Sequence, residues 1–295
     1  MAKLFNRRVN RDSLSNKRTA GFTLMELIIV IILLGVMAVG ISGFIKLTTQ
    51  TYLNVSERDE LISSARFVVE RLNRELRNAV PNSIRQLNSV TEQCLEFTPI
   101  LASTVYTDIP VNPDNSDTLE VIPFIDIDGN DYVCANCSDA IVVYPTNMDG
   151  EDIYTAANNK RYSLEDYTLP IAPAQVATLT LEAAESFAEH SPTNRAYIIN
   201  SPVSYCVIAQ AGEAKVVRYS NYNFQQTQPS SSDLITLGAS SSLMAESVVY
   251  SQAEIPFIVL NATLQRNAVV QTKLVFLRDS ERVVFDNAVH INNVP

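Results

Sequence analysis

The sequence predicts an α+β fold, in which a long N-terminal helix spans a membrane, continues as a spine and packs on a mostly antiparallel β-sheet domain. Three observations carry this prediction. From Leu27 to Ile45 there is no charged residue, a helical apolar period continues to Leu76, and beyond Pro81 the pattern turns to short β-branched and aromatic runs. Residues 1–21 read as a basic leader, 22–80 as the transmembrane and amphipathic helix, and 81–295 as a β-rich domain beyond the membrane.

The leader holds Lys3, Arg7, Arg8, Arg11, Lys17 and Arg18 against Asp12. Removing that +5 from the whole-chain −10 leaves the remainder at −15. An acidic body of this kind repels nucleic acid and anionic lipid headgroups, so the globular part has no nucleic-acid partner.

The apolar run comes next. About 20 residues at a rise of about 1.5 Å match a hydrocarbon core about 30 Å thick. With the basic flank on the N-terminal side, the leader stays cytoplasmic and everything after Lys46 crosses the membrane. A secretory signal has a shorter apolar core ending in a small-x-small cleavage site, whereas this run is longer and continues into a helical pattern. Glu26, near the start of the run, is costly for a plain anchor and marks a functional position.

Past Lys46, Leu61, Ala65, Val68, Leu72 and Leu76 recur at three- and four-residue steps among charges, so this half packs on a domain until Pro81 stops it. Gly35, Gly40 and Gly43 weaken the first half less than a proline would. Strands are expected at Cys94–Thr98, Thr118–Ile125, Ala140–Tyr144, Val176–Leu181, Val203–Gln210, Lys215–Tyr219, Val248–Ser251, Phe257–Leu264, Val269–Leu277 and Arg282–Ile291. Ala211-Gly212-Glu213 and Arg278-Asp279-Ser280-Glu281 read as hairpin tips. Asp108–Asp117 and Gln225–Asp233 read as exposed loops.

All four cysteines, Cys94, Cys134, Cys137 and Cys206, follow the apolar segment, where an oxidising space permits disulfides. Three pairings are open on sequence alone; the preferred one joins Cys134 to Cys137 and Cys94 to Cys206. A zinc site at Cys134-x-x-Cys137 needs two more ligands, and the only histidines are His190 and His290.

The stretch Gly21-Phe22-Thr23-Leu24-Met25-Glu26-Leu27, behind a basic leader and ahead of an apolar run, resembles the class III signal of type IV pilins and type II secretion pseudopilins. The resemblance implies that a prepilin peptidase cuts between Gly21 and Phe22 and N-methylates Phe22. It implies that Glu26 neutralises the Phe22 amine of a neighbouring subunit, or of its own chain, in a filament core. It also implies an inner-membrane protein with its C-terminal domain in the periplasm. Its partners would be other minor and major pilins, the peptidase, and the inner-membrane assembly platform with its ATPase.

Removing 21 of the 295 residues leaves 274, long for a major pilin, which points to a minor pilin or minor pseudopilin. Ser201–Cys206 and Val289–Pro295 resemble the O group of mannose-sensitive haemagglutinin (MSHA) pilus biogenesis proteins. The expected role is therefore assembly or priming of an MSHA-type pilus. The J group of secretion pseudopilins is the first alternative, and a ligand-binding tip adhesin the second.

No catalytic constellation is legible and no enzymatic activity is expected. His190 reads as a surface residue and His290 as a strand-face residue. Asp126, Asp128, Asn130 and Asp131 alternate oxygens as a weak calcium candidate, but the EF-hand pattern fails because its twelfth position falls on Cys137. A solvated turn is the preferred reading, and no cofactor is expected.

Overall fold

The computed structural model describes residues 21–135, 137–146, 152–210, 213–251, 253–262, 267–278 and 281–291. The leader before Gly21, the tip residues 211–212 and 279–280, and the C-terminal residues 292–295 lie outside the described residues. The chain forms two compact units, Met1–Glu57 and Arg58–Pro295.

Helix α1 (Leu24–Arg77, 54 residues) begins in the first unit and ends in the second. Within the second unit its buried residues are Leu61, Ala65, Val68, Val69, Leu72 and Leu76, one stripe at helical spacing. The helix closes with tighter bonds, from Asn78 N to Glu75 O (3.2 Å) and from Ala79 N to Leu76 O (3.1 Å). Pro81 has no N–H with which to continue it.

The strands are β1 (Arg85–Asn88), β2 (Glu92–Phe97), β3 (Ile100–Asp108), β4 (Ser116–Val121), β5 (Ala140–Val143), β6 (Arg161–Thr168), β7 (Ala177–Glu185), β8 (Arg195–Ile199), β9 (Val203–Gln210) and β10 (Glu213–Ser220). After a short helix, α2 (Ser231–Thr236), follow β11 (Ser240–Val248), β12 (Phe257–Leu260), β13 (Ala268–Arg278) and β14 (Glu281–Ile291).

These strands build two assemblies, and every pairing between them is antiparallel. One is an eight-stranded sheet in the order β1-β2-β9-β10-β11-β13-β12, with β14 on β13. The other is a closed barrel, β3-β4-β7-β6-β5-β8.

The sheet carries the helix. Leu95 and Phe97 of β2, Tyr205 and Val207 of β9 and Phe276 of β13 form one core with Val68, Leu72 and Leu76. Along β2 the alternate residues Cys94 and Glu96 turn to the other face. There the segment from Tyr222 to Leu234 covers them, and all six residues of β2 are buried. The barrel has its own filling, including Leu119, Ile141, Leu164, Leu179, Leu181 and Ile198. Val80, Val142, Tyr154 and Ile199 make a smaller core beside it.

The α+β layout expected from sequence is the one observed. Differences fall in the details of the strands. Thr118–Ile125 is strand only to Val121, because Pro123 follows and the chain turns through Asp126. Val248–Ser251 holds only the last residue of an extended segment that begins at Ser240. The stretch Gln225–Asp233 is not all loop. Ser230 caps α2, its side chain accepting from Asp233 N while the Asp233 carboxylate accepts from Ser230 N. Four strands were not expected at all: β1, β3, β6 and β8.

Candidate processing and assembly site

Thr23 sets the start of α1. Its hydroxyl accepts a hydrogen bond from Glu26 N (3.3 Å), and its carbonyl accepts from Leu27 N (3.1 Å). Thr23 is thus the N-cap, and Glu26 occupies the third helical position. A carboxylate in the first turn lies at the positive end of the helix dipole. The sequence reading missed Thr23, although a threonine three residues before a glutamate and ahead of an apolar run is a helix-start signal.

Phe22 and Glu26 are both exposed, and a Cβ at Gly21 would meet nothing within 4 Å. Folding therefore places no demand for glycine at position 21.

Beyond Glu26 the helix is apolar on every side. Residues 27–45 are all exposed, and α1 is long and apolar enough to cross a membrane. The helix is continuous through Gly35, Gly40 and Gly43. Below the apolar stretch Thr48 and Thr51 turn their hydroxyls back onto the helix. Thr48 donates to Phe44 O (2.9 Å) and Thr51 to Leu47 O (2.9 Å), so neither polar group needs water.

In the second unit, ionic contacts tie the helix to the sheet. The Glu75 carboxylate accepts from Arg71 Nε (3.0 Å) and Arg218 Nε (3.1 Å), beside the buried Tyr205, whose hydroxyl burial raises in pKa. Nearer the start of this unit, Arg58 meets Glu281 (3.2 Å) and Glu60 meets Arg278 (3.4 Å).

The four cysteines form two disulfides, Cys94 with Cys206 and Cys134 with Cys137. Cys94 and Cys206 are register partners on β2 and β9. A Glu92 carboxylate oxygen lies within 4.8 Å of both their sulfurs, but a disulfide offers no thiolate to a metal.

Asp126 closes a turn: its carboxylate accepts from Asn130 N (2.8 Å), Asp128 N (2.9 Å) and the Asn130 amide (3.3 Å). The Asn130 N–H is the main cause that holds the Asp126 carboxyl below the usual range. Asp128, Asn130 and Asp131 are exposed around it. His190 and His290 are exposed and far apart in the fold's connectivity, on the loop before β8 and on β14.

Residues 16–42 match the family model described as the prokaryotic N-terminal methylation motif. No curated protein and no solved structure matches the chain. The match spans Gly21, Phe22, Thr23 and Glu26, the residues that open α1, and continues along its apolar surface. The chain thus carries a prepilin-type signal of the kind that marks type IV pilin-like proteins.

Proposed function

We propose that this protein is a non-enzymatic minor pilin that helps to prime or assemble a type IV pilus of the MSHA kind. The observation that carries the reading is the coincidence of the methylation motif with a helix whose apolar surface is exposed on every side. A prepilin peptidase cuts between Gly21 and Phe22, removes the basic leader and methylates the new amine. The helix then holds the chain in the inner membrane, with the β-rich unit in the periplasm, until an assembly platform and its ATPase move it into a filament.

Glu26 supplies the selection step. In a low-dielectric filament core a lone carboxylate and a lone amine are each expensive, whereas the pair attracts strongly. The Phe22 amine of a neighbouring subunit and Glu26 are that pair. Major and other minor pilins are the partners, and the reading requires no cofactor.

A second reading, the J-type minor pseudopilin of a type II secretion system, is supported by the same motif, which pilins and pseudopilins share. The two differ in what fails when the gene is deleted. A deletion strain complemented with Glu26→Val is expected to cleave the leader and insert the protein, yet to lose piliation. Normal pili in that strain would remove the charge-pairing role. Loss of enzyme secretion with pili intact would favour the pseudopilin.

A further inference from the structure

A cleft of about 330 Å³ opens between the barrel and the segment that follows β10. Its lining includes Arg161 and Ser163 from β6, Asn200, Asn223, Phe224 and Ser138. Arg161 is the notable group. Its Nε donates to Ile153 O (2.9 Å), and its guanidinium carbon lies 4.0 Å from the centre of the Phe224 ring. Those two contacts fix the side chain and leave both terminal amino groups with no partner among the described residues.

Arg71, Arg85 and Arg218, also partly buried, each hold a glutamate carboxylate; among the described residues Arg161 holds none. Glu182 and Glu185 line a neighbouring cavity that Arg161 also lines, yet neither forms an ion pair with it. Burial lowers the Arg161 pKa, and no carboxylate among the described residues offsets that effect. A partly desolvated guanidinium with no counterion among the described residues, in a chain of net charge −10, favours an anion beside it.

The surroundings define the anion. Two parallel N–H groups of one guanidinium match the two oxygens of a carboxylate. A single cation within an acidic chain favours a monoanion over a phosphate dianion. The rest of the lining is rich in amides and hydroxyls, and Asn200 is held in place through its donation to Asp139 Oδ1 (2.8 Å). We propose that this cleft binds a small polyhydroxylated monocarboxylate of the sugar-acid type. The carboxylate lies on Arg161, and the hydroxyls meet Asn200, Asn223, Ser138 and Ser163. The inference is independent of whether the chain serves a pilus or a secretion system.

The test is titration of the full chain, in nonionic detergent, with D-glucuronate and with its neutral counterpart D-glucose, read by saturation-transfer NMR and calorimetry. D-Glucuronate is expected to bind saturably, about tenfold or more tighter than D-glucose. Arg161→Gln is expected to weaken it by about tenfold or more. Asn223→Asp keeps every contact of Arg161 but adds a negative charge at an exposed position of the cleft. It should abolish D-glucuronate binding at an unchanged melting temperature. Equal binding of the two sugars, no saturable D-glucuronate binding, or wild-type affinity in Asn223→Asp would overturn the proposal.

Discussion

Glu96 has a completely buried side chain, so its carboxyl depends on the groups around it. Its carboxylate is met by Arg85 Nε and by the Tyr222 hydroxyl (3.0 Å), which is itself within 2.7 Å of Ser204 Oγ. Arg85 in turn donates to the carbonyls of Gln226 and Gln225 (2.7 Å each) and stacks on Tyr154 at 3.6 Å. The cluster therefore straps the segment after β10 onto β2. Burial pushes the Glu96 carboxyl above the usual carboxylate range, and Arg85 and Tyr222 draw it back only in part.

The sign of the consequence follows. A carboxyl whose folded value exceeds its unfolded value contributes stability that is complete below the unfolded value and is lost as the pH rises through the folded one. Glu96→Gln should therefore gain stability relative to wild type as the pH rises above the ordinary glutamate range, as read by denaturant titration. Arg85→Ala leaves the buried carboxylate without its cation and should cost about 3–5 kcal/mol at neutral pH, and less in acid. At this scale the sequence was partly readable. Gly21, Phe22 and Glu26 stand out because their meaning is local, whereas Glu96 looked like one more charge in an acidic chain. Nothing near it in sequence announces Arg85, Tyr222 or the fold that brings them together.

Among the elements, α1 was legible throughout because two local rules act on it in turn. An uncharged run defines its first part and a three- and four-residue apolar step its second. The two parts make different energetic demands. Leu72, with no exposed surface, should cost about 2–5 kcal/mol when changed to alanine. Val36, 69 % exposed, should change the thermal melt by no more than about 0.5 kcal/mol when changed to alanine. Melting of the two variants side by side checks this.

The strands were less legible. Those found from sequence, such as Ala140–Val143 and Val203–Gln210, are mostly apolar runs, the first buried throughout and the second from Val203 to Val207. β6 escaped notice because its buried residues, Leu164 and Tyr167, are three apart rather than two, across a register shift between Leu164 and Asp166. β11 was met only at Val248 because it opens on three exposed serines. Its register also shifts against β10, and Ser247 adopts a positive φ of 58° before Val248 returns to the core. In each case the tertiary pairing, not the alternation of side chains, makes the strand.

For the whole molecule, the sequence placed an acidic β-rich part after an apolar helix, and that layout is the one observed. It did not separate a closed barrel from a helix-bearing sheet, because both use antiparallel strands of the same composition. Nor did it reveal the cleft at Arg161, whose lining comes from β6, the end of β8 and the segment after β10. The functional account rests on the start of the chain, where the methylation motif, the Thr23 cap and the exposed apolar helix coincide. Mass spectrometry of the N-terminal peptide from membrane-purified protein tests that account most directly. The predicted result is a chain that begins at Phe22 and carries one added methyl group on its amine. A chain that retains residues 1–21, or one cut elsewhere with an unmodified amine, would contradict it.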